Sequence, residues 1–147
     1  MSVSGLTLSD LFRADFRTSR DADDLNTRAQ AALGLDYRYQ VARLALAVSL
    51  AEAKPTGAAS DLLGKPIRGE TLFGQDEADL ALWIALIIQH DPEAGTSKKR
   101  FLEIAGAHWE RGMRKLWREW EKHKGPPEIF LASFALQRGV VNAIETA

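Results

Sequence analysis

The chain has 147 residues, of which 46% are hydrophobic and 27% charged, a composition that predicts one globular domain over residues 1–147 with a core of its own. It holds no cysteine, which excludes disulfides, thiolate zinc sites, iron–sulfur ligation and any persulfide-carrying role. A net charge of −1 excludes bulk attraction to nucleic acid or to an anionic membrane, so any such surface has to come from unevenly placed charge.

The start, MSVSGLTLSD, lacks the basic flank and apolar block of a secretory signal. No run approaches the roughly 18 apolar residues of a membrane span. A cytoplasmic protein with no membrane partner is expected. From Leu11 to Ser19, Phe12, Ala14, Phe16 and Thr18 alternate with Arg13, Asp15 and Arg17, which predicts a short strand with one apolar face. A lone strand leaves backbone groups unpaired. With no second good strand candidate, its expected partner is another copy of the protein.

SRDADDLNTRAQAALGL reads as a helix. Ser19 can cap it, Asp21, Asp23 and Asp24 suit its first turn, and Gly34 suits its stop. Asp36 is the expected cap of the next helix, where Tyr37, Val41, Leu44, Ala45 and Val48 form a stripe. Pro55 and Gly57 end it. After the loop GKPIRGETLFG, Asp76 caps a helix whose wide apolar face (Leu80, Trp83, Ile84, Ile87, Ile88) predicts a central core position. The longest helix runs from about Ser97 to Lys124. A final helix over 126–147 carries Phe130, Phe134 and Ala135.

Residues 98–124 carry 9 basic and 4 acidic side chains, against 9 basic and 14 acidic over 1–97. At about 100° per residue, Leu102, Ala105, Trp109, Met113, Leu116 and Trp120 share one side of this helix. Arg100, Arg111, Arg114, Lys115, Arg118 and Lys122 fall opposite. A solvated face with internal ion pairs is the commoner meaning of such a stripe. The functional one is a row of cations that displaces counterions from a phosphate backbone.

The loop GKPIRGETLFG, Gly64 to Gly74, invites a phosphate-cradling reading, which fails. Gly57 stands seven residues before Gly64, Lys65 is followed by Pro66 where Ser or Thr is needed, and no parallel-sheet strand precedes it. The loop is expected to reverse the chain, with Leu72 and Phe73 pinned to the core. His108 has Ile104 and Gly112 at the i±4 positions where a second metal ligand would stand, and reads as a structural histidine. His90 and His123 close helices, where a cation meets the dipole. Acids at helix starts are explained by capping. Trp117, toward the polar side, is the tryptophan that could mark an interface. No catalytic residue, cofactor or metal site is expected.

The order of motifs resembles one family, DndE, the small subunit of bacterial DNA phosphorothioation systems. The resemblance rests on RTS before an acidic helix, LGLDYRYQVARLALAVSLAE, GKPIRGETLFGQDE, the aromatic–aliphatic helix after it, and AHWERGMRKLW, in order over about residues 11–120. The C-terminal helix would be an appendage. It implies a mainly α fold with a ribbon-helix-helix-like N-terminal part (short strand plus two helices), followed by further helices including the long amphipathic one. It also implies self-association as a dimer or tetramer and binding of duplex or nicked DNA, without sequence preference, beside sulfur-transferring subunits. Two features depart from the family pattern: the slightly acidic total, and Tyr37, Arg38 and Tyr39 where a Thr/Pro-like opening is expected. The absence of cysteine means that the chain is not the sulfur carrier, so catalysis belongs to partners.

The expected reading is a non-enzymatic DNA-binding and assembly subunit. Arg111, Arg114, Lys115, Arg118 and Lys122 would track phosphates, with Lys65 and Arg68 as lesser candidates. Arg13 and Arg17 would face outward from a ribbon entering the major groove. The alternative is a protein-only adaptor whose basic stripe docks on the catalytic subunits. A hydrolase or nicking activity is the remote third reading.

Overall fold

The computed structural model describes residues 6–137, with side chains described as far as 133. Its elements are α1 (Leu8–Arg13), β1 (Asp15–Phe16), α2 (Arg20–Leu33), α3 (Arg38–Leu50), β2 (Ile67–Arg68), α4 (Gly69–Leu72), α5 (Glu77–His90), a 3₁₀ turn (Pro92–Gly95), α6 (Lys98–Lys122) and α7 (Pro127–Gln137). The chain is mainly helical, with a short strand and two helices ahead of the long amphipathic helix, as expected. Of the last expected helix, 138–147 lie outside the described residues, as does the side chain of Phe134.

The alternation read from Leu11 holds only in part. Thr7 Oγ1 accepts the Asp10 N–H at 3.1 Å and starts a helix that continues to Arg13, because capping and a buried Leu11 favour the helical turn there. From Ala14 to Thr18 the alternation is real: Ala14, Phe16 and Thr18 are buried while Asp15 and Arg17 face out. The strand does not wait for a second copy. β1 pairs antiparallel with β2, Asp15 opposite Arg68 and Phe16 opposite Ile67. The Gly69 N–H donates to the Ala14 carbonyl at 2.9 Å and the Gly64 N–H to the Thr18 carbonyl at 3.0 Å. Two glycines of the loop make this approach possible. A Cβ on Gly69 would stand 1.9 Å from the Leu11 carbonyl oxygen, and one on Gly64 would stand 2.9 Å from that of Thr18. Leu72 and Phe73 are buried, and the Phe73 ring meets Phe16 edge-on at 4.9 Å.

Ser19 and Gly34 bound α2 as expected, the first accepting the Ala22 N–H at 3.1 Å and the second in the left-handed region at φ 69°. Asp36 does not cap α3. Tyr37 is the cap residue, and its N–H donates to Gln40 Oε1 at 3.0 Å, a first-turn side chain folding back to meet an otherwise unpaired donor. Asp76 and Ser97 cap α5 and α6.

The central helix is α6, not α5. Phe101, Ile104, Ala105, Ala107, His108, Trp109 and Met113 are all buried, so its first half is enclosed nearly all round, with α3, α2, the 3₁₀ turn and β1 packed on it. Small residues allow this. A Cβ at Gly106 would lie 2.5 Å from the Arg17 carbonyl oxygen, and one at Gly112 would lie 1.6 Å from that of Ala45 in α3. By contrast α5 buries Leu80, Ile84 and Ile87 but leaves Leu82 and Leu86 exposed. Its wide apolar face therefore exceeds what the described residues cover. A buried polar contact fixes α2 to α6: Trp109 Nε1 donates to Asn26 Oδ1 at 3.0 Å, satisfying an indole donor that burial would otherwise penalise.

Candidate functional site

The second half of α6 emerges from the core, and its cations divide into two kinds. Arg111 reaches the C-terminal end of α3. Its Nη2 donates to the Ser49 carbonyl at 2.8 Å, its Nε to Ser49 Oγ at 2.8 Å, and its Nη1 to the Lys54 carbonyl at 2.6 Å. Ser49 lies in the last turn of α3 and Lys54 shortly after it, so the guanidinium sits at the negative pole of the helix dipole. Lys115 Nζ meets Glu52 Oε1 at 2.6 Å, and Arg111 Nε lies 3.4 Å from Oε2 of the same carboxylate. Arg111 and Lys115 thus brace the α3 terminus.

Arg114, Arg118 and Lys122 follow one another at i, i+4 and i+8 and are exposed. Arg114 has a loose i,i+4 contact with Glu110 at 3.3 Å. Arg118 and Lys122 make no ion pair or hydrogen bond among the described residues. Beside them an open groove of about 400 Å³ between α2 and α6 is lined by Asp21, Asp24, Leu25, Arg28 and Arg114. Trp117 is not bare: the Arg28 guanidinium covers its ring at 4.7 Å, a cation–π contact.

The other candidate cations stand around the β1–β2 ribbon. Arg17 is exposed but its Nη1 donates to the Gly64 carbonyl at 2.9 Å. Arg13 lies in the last turn of α1 rather than on a ribbon, at a cleft with Leu8, Ser9, Phe12, Gln75, Glu77 and Leu80. The Lys65 side chain is exposed, and the exposed Arg68 side chain has a contact at 3.4 Å with Glu70. The Lys65 backbone is fixed from below, its N–H donating to Asp23 Oδ2 at 3.1 Å while Arg38 bonds Asp23 Oδ1 at 2.7 Å.

A third arrangement was not legible at helical spacing. His90, at the end of α5, Asp91 in the turn that follows, and His108 in α6 converge. His90 Nδ1 lies 2.9 Å from Asp91 Oδ2, and His108 Nε2 bonds the same oxygen. The outer nitrogens have partners too: His90 Nε2 the Glu52 carbonyl, and His108 Nδ1 the Ser49 hydroxyl at 2.8 Å. Burial pushes the His108 imidazole down to about 4 against the opposing pull of the Asp91 carboxylate, because a charged ring without water is disfavoured. The only signal in the sequence was the pair His90–Asp91 itself, seventeen positions before His108.

The model of the family described as DNA sulphur modification protein DndE matches residues 15–124. The chain belongs to the DndE family. The match spans β1 through the end of α6, and so takes in the ribbon, the histidine cluster and the basic half of α6. DndE membership implies involvement in DNA sulfur modification. No match was found among curated proteins. No helix among the described residues is long and apolar enough to cross a membrane.

Proposed function

We propose that this DndE-family chain is a non-enzymatic, cytoplasmic DNA-binding and assembly subunit of a DNA phosphorothioation complex. It grips duplex or nicked DNA through phosphates, without base preference, and works as a homo-oligomer beside the sulfur-transferring subunits. The observation that carries this reading is the row Arg114, Arg118 and Lys122, turned outward on a chain of this family while Arg111 and Lys115 are held by α3. Arg118 and Lys122, with no partner among the described residues, can meet phosphate oxygens without breaking a contact. Lys65, Arg68 and Arg17 at the ribbon and Arg13 at the end of α1 are the further candidates. A chain without cysteine cannot carry a persulfide sulfur, which supports assigning the chemistry to partners.

The test is fluorescence anisotropy with labelled nicked and intact duplexes at low salt. Replacing Arg114, Arg118 and Lys122 together by Gln should weaken binding that the parent shows, with the fold intact by circular dichroism. Unchanged binding would remove this face from consideration. A second reading, a protein-only adaptor, is favoured by Leu82 and Leu86, exposed at 59% and 42% on α5, an apolar pair suited to protein contact. Co-purification with the other subunits after nuclease treatment, together with no DNA binding by the isolated chain, would establish it instead.

A further inference from the structure

We propose that His90, Asp91 and His108 form a binding site for one divalent transition-metal ion of the Zn²⁺ class. The donor atoms of the three residues lie within 4.8 Å of one another. They come from the end of α5, the turn after it and the middle of α6, so the site exists only in the folded chain. Two imidazoles and one carboxylate are a donor set that suits borderline divalent ions such as Zn²⁺, Co²⁺ and Fe²⁺.

Two features separate the cluster from an ordinary polar contact. First, each histidine is oriented from behind. His90 Nε2 faces the Glu52 carbonyl and His108 Nδ1 faces the Ser49 hydroxyl, which Arg111 Nε in turn holds at 2.8 Å. Metal-binding imidazoles are positioned in this way, with the outer nitrogen bonded and the inner one presented to the ion. Secondly, the donor count is awkward without an ion. The His90 nitrogens both face acceptor oxygens, the Glu52 carbonyl and the Asp91 carboxylate. With one proton on Nε2, the Nδ1 lone pair points at a carboxylate oxygen. A cation between the rings and the carboxylate satisfies both lone pairs at once.

Water can reach the site. His90 and Asp91 also line a cavity of about 420 Å³ with Pro55, Thr56, Glu93 and Arg100. With two of the three donors on its wall and His108 behind them, the cavity leaves room for a solvent molecule as a further ligand. The site departs from the expectation of no metal, because its donors come from separate elements and not from neighbouring turns of one helix. It does not depend on the DNA-binding reading, and either can fail without the other.

The test uses the full chain, free of any affinity tag, stripped with chelator and then titrated with Co²⁺ and Zn²⁺. One equivalent of Co²⁺ should give the visible absorption of a four- or five-coordinate ion, displaced by Zn²⁺, and Zn²⁺ should raise the thermal midpoint with concentration. His90→Gln and Asp91→Asn should each abolish the spectrum, and Ser49→Ala should weaken binding by about 10–100-fold. His123→Gln should do nothing. Since His108 is buried, its variant is not needed for the decision. An aquo-ion spectrum with no thermal shift, or a spectrum that survives both His90→Gln and Asp91→Asn, would mean a buried histidine–carboxylate hydrogen-bond network only.

Discussion

Arg111 donates to both the side chain and the carbonyl of Ser49, each at 2.8 Å, so the most basic helix of the chain is tied by one of its own cations to the end of α3. Arg111 and Arg118 share a helix face in projection, yet they are expected to behave differently. Arg111→Ala should lower unfolding stability by about 1–3 kcal/mol, because charged donors to a helix end are lost and Ser49 loses a partner. Arg118→Ala should change stability by less than about 0.5 kcal/mol. Urea denaturation of the two variants checks this, and equal losses would contradict it.

The crossing of α3 and α6 rests on the absence of one side chain. A Cβ at Gly112 would stand 1.6 Å from the Ala45 carbonyl oxygen, and backbone cannot swing aside as a side chain can. Gly112→Ala should therefore cost at or above the roughly 3 kcal/mol upper range of overpacked cores. Gly57→Ala is the comparison: its φ is +73° but nothing lies near, so strain of about 1–2 kcal/mol is the whole effect. Thermal melts of the pair read the difference.

His108 sets a pH dependence in the metal-free protein. Burial holds its ring down to about 4 from 6.5, with His90 and the nearby Arg111 adding to the effect and the Asp91 carboxylate opposing it. On acidification the unfolded chain takes up this proton first. Stability from this group is therefore complete above pH 6.5 and is lost as pH falls from 6.5 toward 4, by at most about 1.4 kcal/mol per pH unit. Ring-selective NMR should show the His108 imidazole neutral well below the titration of an exposed histidine. A midpoint at or above 6.5 would refute the burial argument.

Local chemistry was readable and tertiary chemistry was not. Ser19, Gly34, Asp76 and Ser97 bound their helices because a cap acts within one turn. Asp36 failed as a cap because the Gln40 side chain returned to Tyr37 one residue later. The partner of β1 is not legible in the sequence because Ile67–Arg68 is two residues long and sits among glycines and a proline, with no alternation. The angular projection of α6 grouped its cations correctly, but it could not reveal that Glu52 holds Lys115 and that the Ser49 and Lys54 carbonyls hold Arg111. The His90–Asp91–His108 convergence needs the end of α5 and the 3₁₀ turn after it to be placed against α6, which no spacing along one helix encodes.

The role of the outward row on α6 is tested most directly by the salt dependence of binding to a nicked duplex. Each phosphate contact contributes about 0.9 to the slope of log K against log salt. The parent protein should bind with a steep negative slope. The Arg114, Arg118 and Lys122 triple Gln variant should lose affinity and up to about three contacts' worth of that slope. A variant with the parent's slope and affinity would contradict the account.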